Sequence, residues 1–395
     1  MTDFDTALAR LLAQANPLGS EVVALEAASG RVLATDLKAR GAAPRTAVSA
    51  MDGYAVRDVD LSILPARLPI ASVAFAGRGD LPVLPSKTCV RVFTGGPVPT
   101  GADRVVVQEE VGRDGELALF ATAPGPGRHI RAAGSDFEAG DVLLAAGTRL
   151  GYRALVAAAA ADVAALSVVR QPRVVILSTG DELAAPGQSL ETAGSIPESV
   201  SFGVAALVEA SGGQVLDRRR LADAPDQLKA AARLALDTAD VVVVTGGASV
   251  GDKDYARSMF AGFGLDLIFS KVAMKPGKPV WFGRAGRELV MGLPGNPTSA
   301  MVTARLFLAP LIAGLAGRDP AERLAWRDMI LTEALKPCGD RETFERGRPD
   351  GDGVAGLKVQ DSATQKALAG ADLLIRRRPG APGLPPGDMV PVLDF

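Results

Sequence analysis

The stretch VVVVTGGASVGDKDY (residues 241–255) leads an apolar strand directly into small and acidic residues. One such stretch indicates no more than a turn, because glycine with aspartate is ordinary turn chemistry. Two further stretches have the same form: RVVILSTGDEL (173–183) and ELVMGLPGNPTSAM (288–301). Ligands of open α/β sheets bind outside the carboxyl ends of the strands. The three strand ends together therefore predict a ligand site.

Strands and helices alternate in the pattern of residues 173–320. Strands are expected near residues 173–177, 214–220 and 241–244, and helices near 199–211, 225–237 and 253–261 and from Asn296 onward. Strands that are almost entirely Val, Ile and Leu indicate a parallel sheet covered on both faces. The predicted fold class is multidomain α/β plus β: a doubly wound three-layer α/β/α domain with β-rich domains and a small C-terminal β-barrel domain.

The length of 395 residues exceeds what one hydrophobic core usually supports. Short apolar runs cut by glycine, proline and aspartate, typical of β structure, occupy residues 40–145 and return after Pro320. A helix is expected over residues 151–166. The predicted domains are a helical and extended linking domain (1–40 with 138–172), a β-rich domain (41–137), an α/β domain (173–320) and a C-terminal β-barrel domain (321–395).

The charge of the chain is nearly balanced, with 43 basic and 45 acidic residues and a formal net charge of −2. A protein that binds nucleic acid normally shows a basic face or tail, so no nucleic-acid partner is expected. The arginine runs 218–220 and 376–378 are short, and they are interpreted as solvated strand or loop faces.

The rare residue types exclude several kinds of chemistry. Cys89 and Cys338 are the only cysteines, so neither a disulfide framework nor a thiolate zinc site is indicated. His129 is the only histidine, so Ser-His and Cys-His catalysis and multi-histidine metal sites are poorly supported. The N-terminus has an amphipathic pattern rather than that of a signal peptide. Residues 154–169 are too short to span a bilayer. A cytoplasmic protein without a membrane partner is expected.

The third strand end has the features of an anion-binding helix start. Asn296 is a good N-cap and Pro297 suits the first helical position. The amides of Thr298 and Ser299 are then expected to point at an anion, aided by the helix dipole.

The segment MKPGKPV places Lys275 and Lys278 on a loop stiffened by prolines. The alternatives are two separately solvated ammonium groups or a clamp for an oxyanion or phosphate, and the neighbouring turns favour the clamp.

Carboxylates in the first two strand ends would repel the same anion: Asp181, Glu182, Asp252 and Asp254. Their presence is explained if a hard cation such as Mg²⁺ links them to phosphate. The three strand ends then form a site for a phosphorylated, metal-bound ligand.

Motifs along nearly the whole chain resemble one family. They are SAMDGYAV (49–56), FTGGPVPTGADRVVVQEE (93–110), HIRAAGSDFEAGDVLLAAGTRL (129–150), STGDEL (178–183), TGGASVGDKDY (245–255), KPGKPV (275–280) and GLPGNPTSA (292–300). The chain resembles the molybdopterin molybdenumtransferases of molybdenum-cofactor biosynthesis, which include the E domain of gephyrin.

The resemblance implies a reaction and its partners. Adenylyl-molybdopterin and molybdate are the implied substrates, and AMP is released with the help of Mg²⁺ or another divalent cation. A homodimer is implied, with molybdopterin adenylyltransferase and apo-molybdoenzymes or their chaperones as further partners.

The resemblance also assigns roles to residues by motif. The implied catalytic residues are Asp52, Thr94, Glu182, Asp254, Lys275 and Lys278, of which Glu182 and Asp254 would hold the metal. The implied ligand-binding residues are Arg131, Asp136, Thr179, Gly180, Asp223, Gly246, Gly247, Ser249, Pro294, Asn296, Pro297, Ser299, Arg346 and Ser362.

Four short segments depart from the family pattern. Its Asp-Asn-Ser, Gly-Glu-Asp, Tyr-Asp-Ser-Asn and serine-rich segments stand here as residues 47–49 (AVS), 134–136 (GSD), 197–200 (PESV) and 362–366 (SATQK). These changes leave two alternatives to the transferase hypothesis. One is a binding or scaffold protein for molybdopterin or its finished cofactor, and the other is a hydrolase of a different pterin or nucleotide anhydride.

Overall fold

The computed structural model describes residues 1–77, 79, 81–246 and 255–395. The chain forms two compact units. One, the α/β unit, comprises Met1–Glu21, Gly30–Ala34 and Ser167–Phe395, and the other, the β-rich unit, comprises Val22–Ser29 and Thr35–Leu166. The finer division into four domains stays a prediction.

The helices of the described residues are α1 (Phe4–Leu12), α2 (Tyr152–Ala160), α3 (Val200–Ala210), α4 (Pro225–Thr238), α5 (Tyr255–Ser258), α6 (Pro297–Thr303), α7 (Ala309–Leu315) and α8 (Gln365–Ala369).

The strands up to residue 169 are β1 (Ser20–Ala24), β2 (Leu37–Lys38), β3 (Val48–Ser49), β4 (Gly53–Val56), β5 (Ala66–Ala74), β6 (Cys89–Val92), β7 (Arg104–Val107), β8 (Val111–Asp114), β9 (Leu117–Phe120), β10 (Ile130–Arg131), β11 (Val142–Leu144) and β12 (Ala165–Val169).

The later strands are β13 (Arg173–Thr179), β14 (Leu183–Ala184), β15 (Ile196–Pro197), β16 (Gln214–Leu221), β17 (Val241–Thr245), β18 (Leu265–Ser270), β19 (Met274–Lys275), β20 (Trp281–Ala285), β21 (Glu288–Leu293), β22 (Arg327–Ile330), β23 (Glu342–Asp350), β24 (Gly353–Gly356), β25 (Leu373–Arg377) and β26 (Met389–Asp394).

The central sheet of the α/β unit has the strand order β16-β13-β17-β21-β20-β18. The first four of these strands are parallel, and β20 and β18 complete the sheet in antiparallel pairs. Residues 241–244 of β17 are fully buried. A strand of four valines needs a nonpolar layer on each face, which confirms the predicted three-layer arrangement.

The two faces of this sheet have separate cores. Ile176 and Val243 pack with Val204 of α3 and with the helical segment that follows residue 297. Leu177 and neighbouring residues of the opposite face pack with Leu228 of α4. Successive side chains of a strand point to opposite faces, so each strand supplies both cores.

The helical segment Pro297–Leu315 forms the centre of the first core. Within it, residues 304–308 make a π-turn between α6 and α7. Among the described residues, this segment alone has the length and hydropathy to cross a membrane, but 89% of its apolar window is buried inside the protein. The apolar composition of the segment therefore matches that of a core helix.

The strands that follow residue 326 close into a small barrel. Their pairing order is β24-β23-β25-β26-β22, and a bridge between Leu331 and Val354 returns from the end of β22 to β24. Strand β19, which carries Lys275, pairs with β23. The predicted C-terminal β-barrel is confirmed. The lysine segment (residues 274–280) begins beside its strand β23.

The interpretation of residues 376–378 as a solvated face is wrong for two of the three arginines. The Arg376 and Arg377 side chains are only 13% and 2% exposed. Arg376 pairs with Glu342 and Asp5 and lies over the ring of Phe4. Long arginine side chains bury well when carboxylates pair with their charge, and these bonds join helix α1 to the barrel.

The β-rich unit is built on a sheet of order β7-β4-β6-β5-β9-β8. Tyr54, Val56 and Phe120 belong to its core. The helix expected over residues 151–166 is shorter, since α2 ends at Ala160 and strand β12 begins at Ala165. Asp162 has a φ of 62°, a left-handed conformation that a helix does not continue through.

Candidate functional site

A cavity of about 650 Å³ opens at the carboxyl ends of β13, β17 and β21. These three strands are neighbours and parallel, so their ends meet at one edge of the sheet. The cavity is lined by Thr179, Glu182, Leu183, Ile196, Pro197, Glu198, Ser199, Val200, Thr245, Gly246, Pro279, Pro294, Gly295, Asn296, Pro297, Ser299, Ala363 and Gln365. The convergence predicted from three separate stretches of sequence is therefore observed.

Seven residues assigned to the site from the sequence line this cavity: Thr179, Glu182, Gly246, Pro294, Asn296, Pro297 and Ser299. Thr179 and Ser299 are 2% and 6% exposed. Their hydroxyls belong to rigid elements, β13 and α6, rather than to loops. Such placement favours a defined ligand orientation.

The Glu182 carboxylate belongs to the turn after β13, where Gly180 makes room for it. A Cβ atom on Gly180 would lie 2.6 Å from a carboxylate oxygen of Glu182, and the backbone there has a φ of +150°. A larger residue would push this carboxylate out of place. Glycine at position 180 therefore leaves the space that the Glu182 carboxylate occupies.

The start of helix α6 differs from the prediction in one respect. Asn296 is the N-cap and Pro297 the first residue, as expected. The Thr298 amide, however, donates to the carbonyl oxygen of Ser362 at 3.1 Å, so the prediction that it points at an anion is wrong. The Asn296 side chain donates to the Ser362 hydroxyl, also at 3.1 Å.

This contact gives Ser362 a structural role beside the ligand-binding role that the motif assigns to it. Its carbonyl and hydroxyl oxygens both accept from the helix start. An unsatisfied helix N-terminus needs such acceptors. Ser362 therefore positions Asn296 from the C-terminal part of the unit.

The lysine segment borders the cavity through Pro279 rather than through its ammonium groups. Pro279 lines the cavity, whereas Lys275 and Lys278 are exposed side chains. Burial raises the pKa of Glu345, and the charges of Arg377, Lys275 and Arg346 oppose that rise. Lys275 is thus close enough for its charge to act on the Glu345 carboxylate.

Gly277 fixes the path of this segment. It has a φ of 108°, and a Cβ atom would lie 2.3 Å from a methyl carbon of Thr303 in α6. Only glycine allows this close approach. The segment is therefore pressed against the helix whose start lines the cavity.

Glu198 is a cavity residue that the sequence reasoning missed. It is 6% exposed, and it accepts bonds from the Ser201 amide at 2.8 Å, the Ser201 hydroxyl at 2.6 Å and the Ser178 hydroxyl at 3.2 Å. The Ser178 hydroxyl in turn accepts a bond from Thr245 at 3.0 Å. A carboxylate just before the start of an apolar helix can accept from the free amides there, a local signal that could have identified Glu198.

Gln365 is the second missed residue. Its side-chain amide donates to the Ser199 hydroxyl at 3.1 Å. This bond joins the first residue of α8 to the N-cap of α3. The two residues are 166 positions apart in the sequence, so no local pattern signals the contact.

Arg346, assigned to ligand binding by motif, is only 1% exposed. Its guanidinium donates to the carbonyls of Asp361 at 3.2 Å and Val359 at 3.4 Å. Burial lowers its pKa, against the effect of the Asp361 and Glu345 charges. In this structure Arg346 holds the segment that ends at Ser362.

Of the remaining assigned residues of the α/β unit, the structure describes only Asp223. The Asp223 amide donates to the Asp181 carboxylate at 2.9 Å, so the loop after β16 joins the turn after β13. Gly247, Ser249 and Asp254, together with Asp252, lie outside the described residues.

Two of the four residues assigned to the site in the β-rich unit are hydrogen-bonded to each other. The Asp52 carboxylate accepts bonds from the Thr94 amide at 2.7 Å and the Thr94 hydroxyl at 2.8 Å. These bonds, helped by the Arg91 charge, lower the pKa of Asp52 below its ordinary value. Arg131 is exposed on β10, and Asp136 lies in a turn where its amide donates to the Ala43 carbonyl.

Comparison with protein families matches two parts of the chain. Residues 2–161 match the MoeA N-terminal region (domain I and II), and residues 175–314 match a probable molybdopterin binding domain. The second match contains the ends of β13, β17 and β21 and most of the cavity lining. The part of the fold that forms the cavity thus belongs to the class described as a probable molybdopterin binding domain.

Whole-chain relatives narrow this class. A molybdopterin molybdenumtransferase of Haemophilus influenzae is 37% identical over 350 residues, which cover 88% of this chain and 86% of the relative. One from Synechococcus elongatus is 34% identical over 372 residues, 91% of each chain. The chain belongs to the molybdopterin molybdenumtransferase family.

Solved structures agree with this assignment. Two crystal structures of a molybdopterin biosynthesis MoeA protein from Pyrococcus horikoshii have TM-scores of 0.86 and 0.81 with this chain. Their sequence identities are 27% and 25%. The matches cover 100% of this chain and 99% and 100% of the respective structures.

Proposed function

We propose that this protein inserts molybdenum from molybdate into adenylylated molybdopterin and releases AMP. The observation that carries the proposal is the cavity at three parallel strand ends, where Glu182, Asn296 and Ser299 meet. Family membership over most of the chain supports the same reaction class.

The cavity offers an anionic substrate two kinds of favourable contact. The N-terminal end of α6 carries the positive end of the helix dipole, and the Ser299 hydroxyl lines the same wall. Glu198 adds a negative charge, but the Ser201 amide at the start of α3 and two hydroxyls already bond it. The start of α3 therefore offsets much of the repulsion that the Glu198 carboxylate would exert on a phosphate.

Glu182 would hold a divalent cation, for which we propose Mg²⁺. Carboxylate oxygens are the ligands that Mg²⁺ prefers, usually one or two from the protein together with substrate phosphates. When bound, the cation would neutralise charge on the phosphoanhydride. Gly180 leaves the space in which the Glu182 carboxylate sits, and Asp254 is the proposed second ligand.

Lys275 and Lys278 are proposed to bind the oxyanion substrate. Both are exposed, and their segment is fixed against α6 through Gly277. An ammonium group suits a tetrahedral dianion as a mobile point charge. Asp52 and Thr94 are proposed to act in the same reaction, with the Asp52 carboxylate kept ionised by its bonds to Thr94.

The oligomeric state, the cellular location and the partners of the protein are also proposals. We propose a cytoplasmic homodimer that receives its substrate from molybdopterin adenylyltransferase and delivers its product to apo-molybdoenzymes or their chaperones. Light scattering at micromolar concentration would give about twice the chain mass of 40.6 kDa for the dimer. A mass that stays at one chain would contradict it.

A turnover assay tests the function. Purified protein is mixed with adenylyl-molybdopterin and Mg²⁺, with and without molybdate, while AMP release and molybdenum on the pterin are measured together. We expect both products only when molybdate is present. Steady AMP release without molybdenum insertion would indicate an anhydride hydrolase. Tight substrate binding without AMP release would indicate a binding or scaffold protein.

A further inference from the structure

A second cavity, of about 370 Å³, lies on the outer side of Glu198. It is lined by Ala185, Pro186, Glu198, Ser201, Phe202, Arg218, Arg219 and Arg220. Glu198 also lines the larger cavity, so its side chain forms part of the wall between them. Arg218, Arg219 and Arg220 are consecutive basic residues of this lining, in a chain with a net charge of −2.

The register of the edge strand β16 places two of these arginines on one face. Arg218 lies opposite Ile176 and Arg220 opposite Ser178 on the neighbouring strand β13. Ile176 packs in the core on the α3 side, and Ser178 bonds Glu198. Side chains of paired residues lie on the same face, so Arg218 and Arg220 both face the α3 side.

Arg219 lies on the opposite face and has its own partner. Its guanidinium pairs with the Asp217 carboxylate at 2.5 Å. None of the ion pairs found between described residues involves Arg218 or Arg220. Two charges on the α3 face therefore lack a carboxylate partner in the part of the chain that the structure describes.

Arg218 is held in a defined position despite its exposure. Its guanidinium carbon lies 4.0 Å from the centre of the Phe202 ring. One of its nitrogens is 3.5 Å from the Ser201 hydroxyl, which itself donates to Glu198 at 2.6 Å. A guanidinium stacked on a ring keeps its edge free to donate hydrogen bonds, so Arg218 is prepared for a ligand.

Arg220 can reach the same ligand. Residues two apart on a strand are separated by about 6.5–7 Å, and arginine side chains are long enough to converge across that distance. Paired guanidinium forks match the oxygens of a phosphate group, with which they form short charge-assisted bonds. The Glu198 carboxylate repels such a group, but three donors already bond its oxygens.

We propose that Arg218 and Arg220 form a phosphate-binding site beside the main cavity. The ligand class is a phosphate monoester. It could be supplied by a free nucleotide or by a phosphorylated pterin, and the recognised chemistry is the same. The site does not depend on the proposed transferase reaction, because neither arginine lines the cavity in which that reaction is placed.

The test uses the intact protein and calorimetric titration with inorganic phosphate, AMP and adenosine. The variants are Arg218→Gln, Arg220→Gln and the double substitution. Arg67→Gln is the matched control, since Arg67 is an exposed arginine on a strand of the β-rich unit. We expect each single substitution to weaken phosphate binding about tenfold, the size of one charge-assisted bond. The control should bind like the parent.

Comparison of inorganic phosphate, AMP and adenosine shows whether the site recognises a nucleotide or the phosphate group alone. AMP binding at least tenfold tighter than phosphate, lost in the double variant, would indicate a nucleotide. Equal binding of AMP and phosphate would indicate recognition of the phosphate group alone. Either result supports the site, provided that adenosine does not bind there and that Asn296→Ala, in the main cavity, leaves the double-variant effect unchanged.

Several results would contradict the proposed phosphate-binding site. They are equal phosphate affinities for the parent and the double variant, an equal loss in Arg67→Gln, and an absence of phosphate and AMP binding by the parent. Retention of an acidic peptide in place of phosphate would indicate a protein-docking strand and would equally overturn it. Thermal melts of each variant check folding. Because phosphate binding and AMP release are separate measurements, the site and the transferase proposal can fail independently.

Discussion

The main cavity and the Asp52 region were both assigned to the site by motif, but the structure organises them differently. Around the cavity, seven assigned residues come together from three strand ends and the start of α6. In the β-rich unit, only Asp52 and Thr94 are joined, by two bonds to one carboxylate oxygen. Arg131 and Asp136 lie in separate local contacts of their own.

The difference shows what fixes a functional side chain in each region. Neighbouring parallel strands must end at one edge of the sheet, so their terminal residues meet whatever their side chains are. Asp52 and Thr94 flank the antiparallel pair of β4 and β6, in which Gly53 lies opposite Val92, and their side chains are then fixed only by two bonds to one carboxylate oxygen. The cavity should therefore tolerate loss of single bonds, whereas the Asp52–Thr94 pair should not.

The largest effect is expected for Glu182→Ala. Removing the carboxylate that we propose to bind the metal should cost several kcal/mol of transition-state stabilisation, so AMP release should fall by at least about 100-fold. Folding should be unaffected, because Glu182 lies in a turn outside the buried cores. The measurement is AMP release at saturating Mg²⁺, with Glu191→Ala, an exposed carboxylate outside the cavity lining, as the control. A parent-like rate would remove Glu182 from the reaction.

A smaller effect is expected for Lys275→Ala. Loss of one exposed charge-assisted contact, at about 1.5 kcal/mol, should weaken molybdate binding about tenfold. Lys275→Arg should not restore it fully, because a planar fork is not a point charge. Calorimetric titration of molybdate measures this, and Lys229→Ala on α4 is the control. Equal molybdate affinities would place the oxyanion elsewhere.

The Asp52–Thr94 pair predicts a pH-dependent difference in stability. The bonds from Thr94 lower the pKa of Asp52, so its ionised form stabilises the folded state. That contribution is present above the ordinary pKa of about 3.8 and is lost as pH falls through the lowered value. Asp52→Asn should therefore melt below the parent at pH 7, and the two should approach each other below pH 4. A constant difference across this range would contradict the assignment.

The smallest effect is expected for Gln365→Ala. A single neutral hydrogen bond to Ser199 contributes about 0.5–1.5 kcal/mol, so the KM for adenylyl-molybdopterin should rise less than about tenfold. Lys366→Ala, one residue along α8, is the control. If the KM changed by as large a factor as the AMP-release rate is expected to change in Glu182→Ala, substrate binding in the cavity would depend on single hydrogen bonds.

Particular residues show how far the sequence predicts this structure. The ends of β13, β17 and β21 were predictable because apolar runs and following glycines are local signals. Glu198 is also predictable from the sequence, because a carboxylate just before a helix start is a local signal. The Gln365–Ser199 bond and the bond from the Thr298 amide to Ser362 join residues that are 166 and 64 positions apart. No local pattern encodes such pairs.

Burial was the other property that local patterns did not reveal. The runs 218–220 and 376–378 look alike in sequence, yet the first is exposed and the second contributes two enclosed side chains. Asp5 and Glu342, distant in sequence, pair with Arg376 and make its burial possible. Unpaired arginine stays at the surface.

The central claim is that the cavity at the three strand ends binds adenylyl-molybdopterin. The most direct test is the equilibrium dissociation constant of this ligand for the parent and for the Asn296→Ala, Ser299→Ala double variant. Two lost polar contacts should raise it by at least about tenfold, while Lys358→Ala, an exposed residue outside the cavity lining, serves as a control for the nearby segment. A dissociation constant unchanged in a folded double variant would contradict the claim.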